Sequence, residues 1–172
     1  MRYFPRVAGS ARRRDTRHYR IGLAWDDRPV AEAAEWSWED GWILASVIMA
    51  HASEHVDLAG VIGIADYINR LVLSRDEIET SMKRLREARL LDPDNPLVPL
   101  DSAQRLWSRS KGAGGSIASI RRLTQLMNRE VSAQVALPSW SLSATDYSTA
   151  VKVYHRRFND ALRRIERRGK PE

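Results

Sequence analysis

The segment at residues 74–91, S-R-D-E-I-E-T-S-M-K-R-L-R-E-A-R-L-L, constrains the fold of this chain more than any other. Ser74 followed three residues later by Glu77 is a capping box, and Leu73 and Ile78 occupy the two positions of a hydrophobic staple. A helix must therefore start here. Ile78, Met82 and Leu85 recur at helical spacing and predict its buried stripe. Its outward face then carries Asp76, Thr80, Lys83, Arg84 and Glu87. After Leu90 and Leu91 comes D-P-D-N-P at residues 92–96, a run of turn formers. Residues 97–100 read as a short strand, so residues 90–100 predict an antiparallel pair.

The flanking sequence reads as more helix. Ser37 and Asp40 have capping spacing, and Trp42, Leu44, Ala45, Val47 and Ile48 form an apolar band that ends near His51. Asp57 is a good N-cap for a helix to Asn69, with Leu58, Val61, Ile62, Ala65 and Ile68 on one face. Asp101 is read as the cap of a short helix at residues 102–107. K-G-A-G-G at residues 111–115 breaks the chain, and Ser116 opens a helix with Ile117, Ile120, Leu123 and Met127 inward. A last helix is predicted over residues 144–168. Its apolar positions Tyr147, Val151, Tyr154, Phe158, Ala161 and Ile165 alternate in spacing between four and three, as in a coiled-coil seam. Residues 20–25 read as a weak strand.

Charge divides the chain differently from hydrophobicity. The net charge is +6. Residues 1–20 hold seven Arg against one Asp, and residues 155–170 hold seven cations against two carboxylates. Residues 21–154 carry 14 cations and 18 anions, so the middle is mildly acidic. Basic ends suit phosphate contacts, and equally a solubilising tail and a solvated helix face. The absence of Cys excludes disulfides, thiolate metal sites and a Cys nucleophile. No apolar run approaches the roughly 20 residues of a membrane span, and no apolar stretch follows Arg2 and Arg6 as a secretory signal requires. A cytoplasmic location is therefore expected, with no membrane partner.

Helices, a short two-stranded turn and a further helix follow the winged helix-turn-helix order. Residues 74–91 resemble the third helix and first wing strand of MarR-like and PadR-like regulators, in which a capped helix carrying an R-L pair leads through a short loop into two apolar residues. V-P-L-D-S-A-Q-R-L, at residues 98–106, is similar to the second wing strand and the helix after it. Arg89 stands where these families commonly have Gly. The resemblance covers about residues 38–107. It implies a mainly α protein with a winged helix-turn-helix core and additional C-terminal helices. The expected organisation is a basic flexible arm at 1–19, a core at 20–110 and a helical extension at 111–172.

The resemblance further implies DNA binding, with the third helix in the major groove and the wing near a phosphate or the minor groove. Candidate nucleic-acid contacts are Arg12, Arg13, Arg14, Arg75, Thr80, Lys83 and Arg84. The carboxylates of Asp76, Glu77 and Glu79 at the start of that helix, and Asp92 and Asp94 in the turn, repel phosphate. Two functions stand side by side: a DNA-binding transcriptional regulator, and a winged-helix protein-interaction or scaffold module without DNA binding. The candidate dimer contact is the stripe Tyr147, Val151, Tyr154, Phe158, Ala161 and Ile165, which would otherwise pack on the helix at 117–130 or on the first helix.

No catalytic residue, cofactor or metal is expected. H-A-S-E-H at residues 51–55 matches a zinc-peptidase pattern, with Glu130 as a nominal third ligand, but it falls where a helix ends. K-G-A-G-G-S at residues 111–116 lacks the G-x-x-x-x-G-K-[ST] order of a phosphate loop and reads as a hinge. Trp36, Trp38 and Trp42 read as core packing around the first helix.

Overall fold

A computed structural model describes residues 35–53, 55–132 and 136–168. The arm at 1–19 with Arg12, Arg13 and Arg14, and the strand expected at 20–25, lie outside the described residues. Six helices are described: α1 (Trp38–Ala52), α2 (Leu58–Asn69), α3 (Arg75–Glu87), α4 (Asp101–Ser110), α5 (Gly115–Glu130) and α6 (Ala144–Arg168). The protein is mainly helical.

The caps expected from sequence set the starts of the first three helices. Ser37 and Asp40 form a complete capping box on α1, as do Ser74 and Glu77 on α3, and the Asp57 carboxylate accepts from Gly60 N–H at 2.8 Å. Asp101 does not cap α4. Leu100 holds the cap position without a side-chain bond, and α4 runs on to Ser110, where the sequence suggested an end near Trp107. The α5 cap is Gly114, whose φ of +102° suits only a residue without Cβ.

Helix α1 is the centre of the molecule. It packs against α2, α3, α4 and α5. Trp42, Ile43, Leu44, Ala45, Val47, Ile48 and Ala50 are all buried, so the apolar band is wider than one amphipathic face. Ile78, Met82 and Leu85 of α3 are buried as their spacing predicts, and the staple pair Leu73 and Ile78 is fully covered. On α5, Ile120, Leu123 and Met127 are buried with Leu126, while Ile117 is exposed, one turn before α5 reaches its neighbours.

The region after α3 departs from the expected strand pair. Among the described residues there is one antiparallel bridge, Leu91 to Pro99, flanked by Leu100 N–H to Leu90 C=O and Asp92 N–H to Val98 C=O, both at 2.9 Å. The reason lies in the intervening residues. Pro93, Pro96 and Pro99 have no N–H to offer a ladder. The Asp92 carboxylate takes the N–H groups of Asp94 and Asn95, and the Asn95 side chain takes that of Leu97. Local turns thus absorb the backbone donors that a strand needs. These bonds also hold the Asp92 carboxyl below its usual range.

The exit from α3 explains Arg89. Leu90 N–H bonds to Leu85 C=O, and Arg89 N–H to Arg86 C=O, the pair of bonds of a Schellman motif. That motif needs a left-handed residue, and Arg89 supplies it at φ +55° in the place where Gly is common. Leu85 and Leu90 are both buried beneath it.

Candidate interaction surface

The face of α3 was the expected site of nucleic-acid contact. Its cations are all engaged within the chain. Arg75 bonds the adjacent Asp76 through Nε and Nη2 at 3.0 and 2.8 Å. Lys83 Nζ donates to Glu79 at 2.6 Å, and this bond holds the Glu79 carboxyl below its ordinary value. Arg86 is buried and donates through Nε and Nη2 to the Pro93 carbonyl, fastening the turn after α3, with its guanidinium over the Trp140 ring.

Arg84 is the most deeply committed. Nη1 lies 2.5 Å from Oδ2 of Asp40, whose side chain is 1% exposed. Nη2 donates to the Glu35 carbonyl at 2.9 Å, and the guanidinium lies 4.7 Å from the Trp36 ring. Trp36 is in turn fixed by the Asn128 side-chain amide, which accepts from Trp36 N–H at 2.7 Å and donates to Trp36 C=O at 3.1 Å, and by its indole N–H to Val131 C=O. One arginine therefore ties α3 to the start of α1 and to the chain that leads in beside α5. Sequence reading missed this role. Asp40 and Arg84 are far apart in sequence, and the capping position of Asp40 gave no sign that a second partner would reach its carboxylate.

Between α1 and α3 an open cavity of about 350 Å³ is rimmed by Glu39, Asp76 and Glu77, with Thr80 and Arg84 on its wall. Thr80 is exposed on this face. Asp40 and Asp76 are paired with Arg84 and Arg75, which leaves Glu39 and Glu77 to make the rim acidic. The surface where a DNA-reading helix needs positive potential is acidic at its leading end.

The stripe on α6 is divided. Its first half is used inside the molecule, chiefly against α2, where the sequence suggested a dimer contact or, as the alternative, packing on the helix at 117–130 or the first helix. Tyr147 Oη donates to the Leu73 carbonyl at 2.8 Å, and Tyr154 Oη to Asp66 at 2.6 Å. Burial, and then the Asp66 carboxylate, push the Tyr154 hydroxyl up to about 12. Gly63 makes room for the Tyr154 ring, since a Cβ there would sit 3.3 Å from it. Val151 is half-buried in the same contact. Arg157 closes it with a two-pronged ion pair to Asp57, the α2 cap, at 2.9 and 2.7 Å. That pair lowers the Asp57 carboxyl.

Beyond Arg157 the stripe has no cover among the described residues. Phe158 is 48% exposed, Leu162 43% and Ile165 67%, and Ala161 is exposed with them. Leu162 belongs to this surface and was absent from the expected stripe, because a strict seam spacing skips it.

The other sequence motifs take structural places. His51 is in the last turn of α1, which ends at Ala52, so His55 is in the connection and not on the same helical face. Glu130 forms a two-pronged pair with Arg109 at 2.6 Å, joining α4 to α5 and lowering the Glu130 carboxyl. Arg122 donates to the carbonyls of Ser110 and Ala113, so the glycine-rich break is tied to α5. Among the described residues no group of His, Asp and Glu is placed to hold a metal, and no helix is long and apolar enough to cross a membrane. Comparison with known protein families, curated proteins and solved structures gives no match.

Proposed function

We propose that this chain is a protein-interaction or scaffold module of winged-helix type, in the cytoplasm, that does not read DNA through α3. The order of α1, α2, α3, a bridged turn and α4 supports the winged-helix reading. The observation that carries the function is the engagement of Arg84 by the buried Asp40. Turning Arg84 toward a phosphate strands that carboxylate and gives up the Glu35 carbonyl and the Trp36 ring, at a cost of about 2–4 kcal/mol once the remaining Ser37 bond and partial exposure are allowed for. A charge-assisted bond to phosphate returns about 1.5–3 kcal/mol. The internal pair wins. The acidic rim at Glu39 and Glu77 adds repulsion. This reading assigns the chain no reaction, cofactor or metal.

A second reading, a DNA-binding regulator, is favoured by the exposed Arg156, Arg163, Arg164 and Arg167 of α6 together with the basic residues 1–20. It places phosphate contacts at the ends of the chain. Gel-shift with random duplex DNA over a salt series, using the wild type and Lys83→Ala, separates the readings. The module reading expects no sequence preference and the same salt dependence in both proteins. A sequence preference that Lys83→Ala removes overturns it, because α3 then reads the duplex.

A further inference from the structure

We infer that the C-terminal part of α6 is the docking element of this module and that its partner is an acidic amphipathic helix. The inference rests on the module reading and names the surface and partner class that the reading leaves open. Three observations carry it: an extension of α6 past its support, a narrow apolar seam on that extension, and the charges that flank the seam.

Helix α6 runs antiparallel to α2. Tyr147 meets Leu73 beyond the end of α2, Tyr154 meets Asp66, and Arg157 meets the α2 cap Asp57. Residues 158–168 therefore extend past the start of α2, a length of about 16 Å at helical rise. From His155 to Arg167 no residue is buried. Phe158, Leu162 and Ile165 nevertheless continue the face that Tyr147 and Tyr154 bury. They cover a narrow arc of the helix, the width of a seam for one further helix.

The flanks of the seam choose the partner. With Val151, Phe158 and Ile165 at a and Tyr147, Tyr154 and Ala161 at d, the g positions are Arg157 and Arg164 and the e positions include His155 and Leu162. Arg157 is held by Asp57, so Arg164 is the flanking charge that faces a partner; in an antiparallel pair of two such helices g faces g, and Arg164 meets arginine. In a parallel pair Arg157 faces Leu162. Neither arrangement offers a second copy an opposite charge. Over residues 156–167 there are five arginines against Asp160 and Glu166; Arg156 and Arg163 lie at f, away from the seam, so Arg164 and the net positive charge of the segment set the complement. The complement is a helix with apolar a and d residues and Glu or Asp at the flanking positions.

The test uses the full chain and a labelled designed peptide of about four heptads with Leu at a and d and Glu at e and g. Its glutamates keep the peptide from pairing with itself. Fluorescence anisotropy is read against a peptide with Lys in place of each Glu. The acidic peptide should bind and the basic one should not. Leu162→Glu with Ile165→Glu should weaken binding about tenfold or more, with helicity by circular dichroism unchanged because both side chains are exposed. Arg164→Glu should shift preference toward the basic peptide, which keeps the test independent of any packing change.

Equal binding of both peptides, or no binding of the acidic one, overturns the proposal. So does a wild-type dimer by sedimentation that Phe158→Glu dissolves, since the seam then belongs to a second copy. Binding to vesicles of phosphatidylserine and phosphatidylcholine that Phe158→Glu abolishes also overturns it, in favour of a lipid surface. If only the peptide arm fails, the docking element falls and the module reading stands. A duplex preference lost in Lys83→Ala removes both.

Discussion

Replacing Arg84 by alanine gives the sharpest check on the reasoning, because two incompatible roles for this residue predict different outcomes. As a DNA-reading side chain, Arg84 is removable without loss of stability. As the partner of Asp40, it is not. Removing one member of a buried ion pair typically costs about 3–5 kcal/mol. Arg84 is 22% exposed and Asp40 retains its bond from Ser37 N–H at 2.9 Å, so water and the capping bond offset part of that penalty. Loss of the guanidinium over Trp36 adds about 0.5–1 kcal/mol. The expected destabilisation is about 2–4 kcal/mol, a fall in Tm of about 5–15 °C for a chain of this size. Urea unfolding followed by circular dichroism measures it. A double-mutant cycle with Asp40→Asn isolates the pair and should give a coupling of about 1–3 kcal/mol. An Arg84→Ala protein within about 0.5 kcal/mol of the wild type refutes the structural role.

Leu85→Ala, at a fully buried position beneath the Schellman turn, should destabilise by about 2–5 kcal/mol in the same urea assay. Tyr154 should ionise near pH 12 in an ultraviolet titration of the folded protein. Its folded value is raised above the ordinary 10.0, so the stability it contributes is complete below about pH 10 and is lost as the pH rises toward 12. Tyr154→Phe should abolish that loss and cost about 1 kcal/mol at neutral pH, read from unfolding curves at each pH. Deleting residues 1–20, which carry seven Arg and one Asp, should weaken any duplex binding for all sequences alike and flatten its salt dependence. An unchanged salt slope in gel-shift contradicts that assignment.

Local physics was written in the chain and was legible there. The capping boxes at Ser37 and Ser74, the Asp57 cap and the buried spacing of Ile78, Met82 and Leu85 each depend on residues within one or two turns, and each is found as expected. The bounds of α6 follow from the same kind of signal. Where local chemistry was overlooked, the strand pair after α3 failed: the prolines and the Asp92 carboxylate were visible, and together they take the donors that a ladder requires. What no local pattern contains is which distant groups meet. A periodic stripe says that α6 must bury a face, but only its packing on α2 shows that the face is used as far as Arg157 and, among the described residues, is uncovered afterwards. A cation on the outward side of α3 looks free in sequence, and only the approach of α1 brings the Asp40 carboxylate to Arg84. Helix periods arise from neighbours along the chain and are encoded in their order. Ion pairs between helices depend on the angle and distance at which whole elements pack, and those are set by the core as a whole.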